Sequence, residues 1–167
     1  IVIAADDDRI LDAAMHFGAQ AVKTRADHES GTDRIAEAAA LMGWADDEII
    51  VNLQGDEPLM PPGLVRLAGD ALAMEPAAAL ATASCPITDP EDVANPNIVK
   101  VVTGKDDMAL YFSRSPIPYD RGGVVDTARF KYQRHLGLYA YRVKTLAALA
   151  ALPPAPLEQM ECLEQLR

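Results

Sequence analysis

The stretch Ile49-Ile50-Val51-Asn52-Leu53-Gln54-Gly55-Asp56-Glu57-Pro58 changes character halfway along. Four of its first five residues are apolar, and Gln-Gly-Asp-Glu-Pro follows at once. A short continuous apolar run punctuated by Gly and Pro reads as a fully buried strand. Gln54, Asp56 and Glu57 then fall at the carboxyl edge of a central strand, where open α/β sheets bind their ligands. An acid at that edge suits a hard cation such as Mg2+, which takes oxygen ligands and leaves room for substrate phosphates. The same residues also fit a plainer arrangement, a strand whose polar turn only leads into the next helix.

Outward from this strand the chain alternates. Residues 1–5 read as a buried strand, and Asp6-Asp7-Asp8 as a turn and helix cap whose acids complement the helix dipole. Residues 9–17 carry apolar side chains at helical spacing up to Gly18, and residues 35–42 do so up to Gly43. A short strand at 21–24 and a polar loop at 25–33 lie between them. Pro61-Pro62 opens a further helix over 63–74. Beyond it the pattern shifts to an extended run at 79–85, a proline- and acid-rich loop at 86–97, and two strands at 99–103 and 109–112 about a Gly104-Lys105-Asp106-Asp107 turn. Residues 115–118 read as a rigid extended segment and 120–127 as a mobile loop. Residues 134–141 alternate as a strand, 146–152 form a short helix, and another helix begins at Leu157. The expected fold is therefore α/β, a mixed and mostly parallel sheet flanked by helices, with an antiparallel extension.

With 167 residues the chain has enough length for one domain and a sizeable core. Half of it is hydrophobic, which excludes a disordered chain. A net charge of −10 argues against a non-specific nucleic-acid binder. Cys85 and Cys162 lie far apart without metal-site or disulfide-framework spacing, which fits a reducing compartment. No apolar run is long enough to span a membrane. A soluble, cytoplasmic protein is expected, with no membrane partner. The chain opens in mid-strand on Ile1-Val2-Ile3-Ala4-Ala5 and stops at Leu166-Arg167 inside a helical pattern, so a fragment incomplete at both ends is expected.

Three further stretches carry chemistry. Residues 24–34, Thr-Arg-Ala-Asp-His-Glu-Ser-Gly-Thr-Asp-Arg, are dense in hydrogen-bonding side chains and precede a helix whose N-terminus could meet a phosphate; the alternative is that Ser30 or Thr32 simply caps that helix. Along residues 134–141, His135, Gly137, Tyr139 and Tyr141 share one strand face, which suits a cleft or a satisfied core histidine equally. Residues 157–167 read as an amphipathic helix in which Glu161 and Glu164 flank an apolar stripe, the usual sign of a solvated face. A GxGxxG after a strand and a GxxxxGK[ST] loop are both missing, so dinucleotide dehydrogenases and P-loop NTPases lose support.

In this order and spacing, TRADHESGTDR, VNLQGDEP, NPNIVKVV, ALYFSRSPIP, RHLGLYAYR and PLEQMECLEQLR resemble the 3-deoxy-manno-octulosonate (Kdo) cytidylyltransferases from the first residue to the last. The resemblance implies one nucleotidyltransferase-type, Rossmann-like domain over residues 1–167, usually a homodimer, that moves CMP from CTP to Kdo for lipopolysaccharide assembly. It also implies Mg2+ as cofactor, with Asp56 as its ligand and as the catalytic residue. Arg25, Ser30, Thr32 and Arg34 are implied at the nucleotide, and Gln54, His135, Tyr139, Glu164 and Gln165 at the sugar. SRSPIP and the following loop are implied in the dimer contact. The family's glycine- and basic-rich triphosphate loop (PARxxSxRLPGK) and its C-terminal metal-binding Asp have no match here, so the chain alone is expected to be inactive. The alternatives are a cytidylyltransferase for another sugar acid, of the sialic type, and a non-catalytic dimerisation or binding module.

Overall fold

The computed structural model describes every residue except Glu29, Pro58 and Val124. Two compact units divide the chain, and both are discontinuous. The first holds Ile1–Ala81 and Tyr139–Leu152, the second Thr82–Leu138 and Pro153–Arg167.

The first unit begins with β1 (Val2–Ala5), α1 (Asp8–His16) and β2 (Gln20–Lys23). Strands β1 and β2 run parallel, with Val2 opposite Gln20 and Ala5 opposite Lys23, as a helical crossover requires. Asp7 caps α1 by accepting from the Arg9 backbone N–H at 2.8 Å. Helix α2 (Gly31–Met42) stops at Gly43, whose φ of 65° is the left-handed conformation that glycine adopts without strain. It starts four residues before the apolar periodicity does, because Ser30 rather than Asp33 ends the loop and caps it.

Strand β3 (Ile49–Leu53) leads to α3 (Pro62–Met74). A mid-helix glycine normally weakens a helix, but a Cβ on Gly69 would lie 3.3 Å from Val51 Cγ2, so its absence lets α3 sit close on β3. The unit closes with the end of β7 (Gln133–Arg142) and with α5 (Val143–Ala150). Tyr139, Tyr141, Val143 and Leu146 bury themselves with Ala39, and Trp44 and Ile50 pack on that cluster. Arg142 carries its guanidinium to the Leu72 and Ala78 carbonyls at 2.9 and 3.0 Å.

In the second unit β4 (Leu80–Pro86) enters from the first, followed by α4 (Pro90–Ala94), β5 (Lys100–Thr103) and β6 (Ala109–Ser113). Helix α4 occupies part of the stretch expected as loop. Asp89 caps it and Pro90 pre-sets its first turn. Strands β5 and β6 are antiparallel, with a bulge between Val102 and Thr103, and β5 is also antiparallel to β7. The strand order is β3-β7-β5-β6, and β4 pairs with β7 as well. The molecule is thus α/β, with a parallel pair in its first half and an antiparallel addition in its second. Val101, Phe112 and Leu163 form one core cluster of the second unit, and Ile87, Val93 and Tyr132 form another.

The C-terminal segment differs from the single amphipathic helix its spacing suggests. Helix α6 (Pro156–Glu161) ends at Cys162, which takes a left-handed φ of 52°, and a 3-10 turn follows at Glu164–Leu166. Leu157 and Met160 are exposed while Glu158 is buried. Glu158 and Glu161 turn inward because basic and hydroxyl partners await them there, while Glu164 is exposed.

Candidate active site

In the first unit, the loop after β2 is tied down by its own charges. Arg34, one turn into α2, donates to the hydroxyl of buried Thr24 at 2.6 Å, to the Arg25 carbonyl at 3.2 Å and to the Asp6 carboxylate at 3.2 Å. It thereby joins the carboxyl ends of β1 and β2. Glu37, next along the same helix, accepts from the Arg25 backbone N–H at 2.9 Å and pairs with the ring of His28. The His28 contact first, and the Arg25 N–H second, hold the Glu37 carboxyl below the usual carboxylate range. Ser30 accepts from the Asp33 backbone N–H at 3.1 Å, so its hydroxyl serves as a cap. Thr32 occupies the first turn of the helix and is half-buried. Arg25, Ser30, Thr32 and Arg34, all read from the sequence, are therefore neighbours on one loop and one helix start. Glu29 of that motif lies outside the described residues.

At the carboxyl edge of β3 the chain turns at once, and the Glu57 N–H reaches the Gln54 carbonyl at 3.1 Å. Gln54 and Asp56 are exposed on that turn, with backbone rather than packing setting their place. Pro58, taken as the end of the motif, lies outside the described residues. Tyr139 is in the core cluster of this unit, stacked on Tyr141 with ring centroids 5.9 Å apart.

In the second unit, His135 is buried on β7. Its Nε2 lies 2.8 Å from the Thr82 hydroxyl. That hydroxyl has one proton and sits 2.8 Å from the Leu138 carbonyl, which it donates to. Thr82 therefore accepts from His135, and the network assigns the imidazole proton to Nε2. Burial lowers the His135 pKa to about 4, so the ring is neutral at physiological pH. Phe112 meets the ring edge-on at 5.0 Å. The same Phe112 packs with Leu163, and Leu166 joins that cluster. His135 and the turn bearing Glu164 and Gln165 are thus brought to one shared aromatic neighbour.

Three groups around this turn, Lys100 and Glu158 buried and Glu161 half-buried, carry little sequence signal beyond their presence in the motifs. Glu161 accepts from the Ser113 hydroxyl at 2.6 Å, the Arg114 N–H at 2.8 Å and the Tyr111 hydroxyl at 3.3 Å. Ser113 first, then Arg114, keeps its carboxyl below the usual range. Lys100, fully buried, donates to the carbonyls of Asn95, Ile98 and Arg114. Burial, with Arg114 adding to it, lowers its pKa. Glu158 holds Arg167 through both of its oxygens. A lysine inside the apolar run of NPNIVKVV was the one visible hint.

A family model described as cytidylyltransferase matches residues 1–167. The chain belongs to the cytidylyltransferase family. Within that family it is 54% identical to a 3-deoxy-manno-octulosonate cytidylyltransferase of Thioalkalivibrio sulfidiphilus (strain HL-EbGR7), over all of this chain and 68% of the relative. It also superposes with a TM-score of 0.88 and 42% identity on the structure of a CMP:2-keto-3-deoxy-manno-octonic acid synthetase complexed with CTP, over 99% of this chain and 65% of that one. The chain thus spans about two thirds of the length of these cytidylyltransferases. No helix among the described residues is long and apolar enough to cross a membrane.

Proposed function

We propose that this chain serves a cytidylyltransferase that moves CMP from CTP to the anomeric 2-hydroxyl of Kdo. The attacking oxygen forms a bond to the α-phosphorus as the bond to pyrophosphate breaks, and the hydroxyl proton leaves to solvent. The carrying observation is the 54% identity to a 3-deoxy-manno-octulosonate cytidylyltransferase along the whole chain. Fold agreement with a CTP-bound synthetase supports the nucleotide half of the reading.

Such a reaction joins two anions, so alignment and charge neutralisation matter more than covalent catalysis. Asp56 is exposed in a turn, and no three His, Cys, Asp or Glu side chains cluster as a metal cage among the described residues. A lone open carboxylate of this kind fits Mg2+, which is commonly held by one or two carboxylates together with substrate phosphates. Bound Mg2+ would supply screening of the phosphates and acidify the attacking hydroxyl. Asp56 is assigned as its ligand here. Arg25, Ser30, Thr32 and Arg34 are assigned to the cytidine side, with Arg34 acting by fixing the loop through Thr24 and Asp6. Gln54, His135, Tyr139, Glu164 and Gln165 are assigned to the sugar. His135, neutral and donating to Thr82, is suited to orienting a hydroxylated ligand rather than to holding a positive charge. A cytoplasmic homodimer using the SRSPIP segment is part of the same reading.

The test joins this chain to the flanking third of its Thioalkalivibrio relative and measures pyrophosphate release from CTP with a panel of sugar acids. Release with Kdo, well above that with sialic acid, is expected. Preference for a sialic acid would replace the substrate, and no release with any sugar acid would remove the activity.

A further inference from the structure

A single 3-10 turn of three residues has little stability of its own, since helical structure gains only after a costly nucleus has formed. The turn at Glu164–Leu166 nevertheless holds a defined place, and the reasons are local. Leu163 before it is buried with Val101 and Phe112, and Leu166 at its end packs on the same cluster. Those two leucines fix where the turn lies but not how its polar side chains are aimed. Aim is set by Glu158. Its backbone carbonyl accepts from Leu163 N–H at 3.1 Å, and its carboxylate accepts from the Ala155 N–H at 3.0 Å. The same carboxylate takes the Arg167 Nε at 3.0 Å from each oxygen, with the Arg167 Nη2 also on Oε1. Arg167 closes the loop by donating its own backbone N–H to the Glu164 carbonyl at 3.1 Å.

Both side chains of the pair are about nine-tenths buried, at 10% and 11% exposure. A paired fork geometry fixes direction as well as distance, and burial keeps the pair from being screened as a surface bridge would be. The carboxylate is held below the usual range chiefly by Arg167.

We propose that Glu158 and Arg167 are positioning residues for the sugar acid: their ion pair clamps both ends of the segment that presents Glu164 and Gln165. This rests on the assignment of those two residues to the sugar. A clamp of this kind touches no substrate and adjusts one subsite only. Its loss should therefore appear in the Michaelis constant for one substrate and not in the constant for the other.

The experiment uses the enzyme at the full length of its relatives, with Glu158→Gln and Arg167→Lys. Glu158→Gln keeps shape and the Ala155 contact but loses the charge; Arg167→Lys keeps charge but loses the fork. Expected are a tenfold or larger rise in KM for Kdo with Glu158→Gln and a smaller rise with Arg167→Lys, while KM for CTP stays within twofold and the thermal midpoint of Arg167→Lys within a few degrees. Unchanged KM for Kdo in both variants overturns the clamp, and so does a parallel rise for both substrates. If Glu158→Gln does not fold, Arg167→Lys decides by the same criteria. If the unaltered enzyme uses CTP but prefers another sugar acid, the substrate assignment fails while the clamp is judged on the KM of that acid.

Discussion

Asp56 and His135 both sit in strand motifs that carry the family's signature, yet their surroundings are opposite. Asp56 lies on an exposed turn at the open edge of β3, held by backbone alone. His135 is buried on β7, donates to Thr82 and meets Phe112 edge-on. On the roles proposed above, the group assigned to a hydrated cation and phosphates is accessible, whereas the group assigned to orienting the sugar is enclosed and given a fixed tautomer. The difference teaches that motif membership does not fix role. Burial and hydrogen bonding divide the binding of charge from the setting of geometry.

The sharpest way to break this contrast is Asp56→Asn at the full length of the relatives. Turnover should fall about 100- to 1000-fold, the range seen when a preorganised electrostatic group is removed. The fold should be unchanged by circular dichroism, because the side chain is exposed. Turnover within a few-fold of the parent at saturating Mg2+ would take the metal away from Asp56.

His135→Ala comes next. It should raise KM for Kdo by about tenfold, of the order expected when a buried hydrogen bond is lost, and leave CTP affinity within twofold by calorimetry. Lost CTP binding with normal Kdo affinity would exchange the roles drawn above.

A third comparison turns on acid. The folded His135 pKa of about 4 lies below the ordinary value of 6.5, so the unfolded chain binds the proton more readily. This residue's contribution to stability is complete above about pH 6.5, declines as pH falls, and is gone near pH 4. Between pH 8 and pH 5 it should remove about 2 kcal/mol. Urea unfolding of the parent and of His135→Gln at both pH values isolates that amount, since the carboxylates lose stability equally in both. Identical pH dependence in the two proteins would mean that the ring is not held neutral.

The smallest expected effect is at Ser30. Ser30→Ala should lower stability by about 1 kcal/mol through loss of the α2 cap, and Ser30→Asp should restore it. Unchanged stability in Ser30→Ala would take the cap away from this hydroxyl, and unchanged CTP affinity would take away its place on the nucleotide side.

Much of this arrangement was legible in the chain. Alternating apolar runs and glycine stops mark β1, α1, β3 and α3 because local pattern and tertiary burial agree there. The apolar periodicity of α2 begins four residues after the helix itself, since Ser30 and Gly31 carry the cap but no periodicity. Helix α4 was hidden because Pro90 reads as a breaker until its place in the first turn is known. The inward placement of Glu158 and Glu161 is illegible in the sequence for a deeper reason. Spacing says which side chains share a face, but Ser113 at the end of β6 and Arg114 just after it are nearly fifty residues away from Glu161. Long-range partners of that sort leave no periodic trace. Asp56 and Gln54 are legible as a strand edge, whereas the alternation along 134–141 suits a cleft and a core position for His135 equally.

Lys100 shows what such distant pairing can accomplish. Its ammonium gathers carbonyl oxygens from Asn95 and Ile98 on one stretch and Arg114 on another, sixteen or more residues further along, much as a bound potassium ion would. Being covalently tethered, this cation cannot be diluted, chelated or exchanged. The junction between the segment after α4 and the end of β6 is therefore indifferent to the ionic make-up of its surroundings, and only a change at the residue itself can undo it.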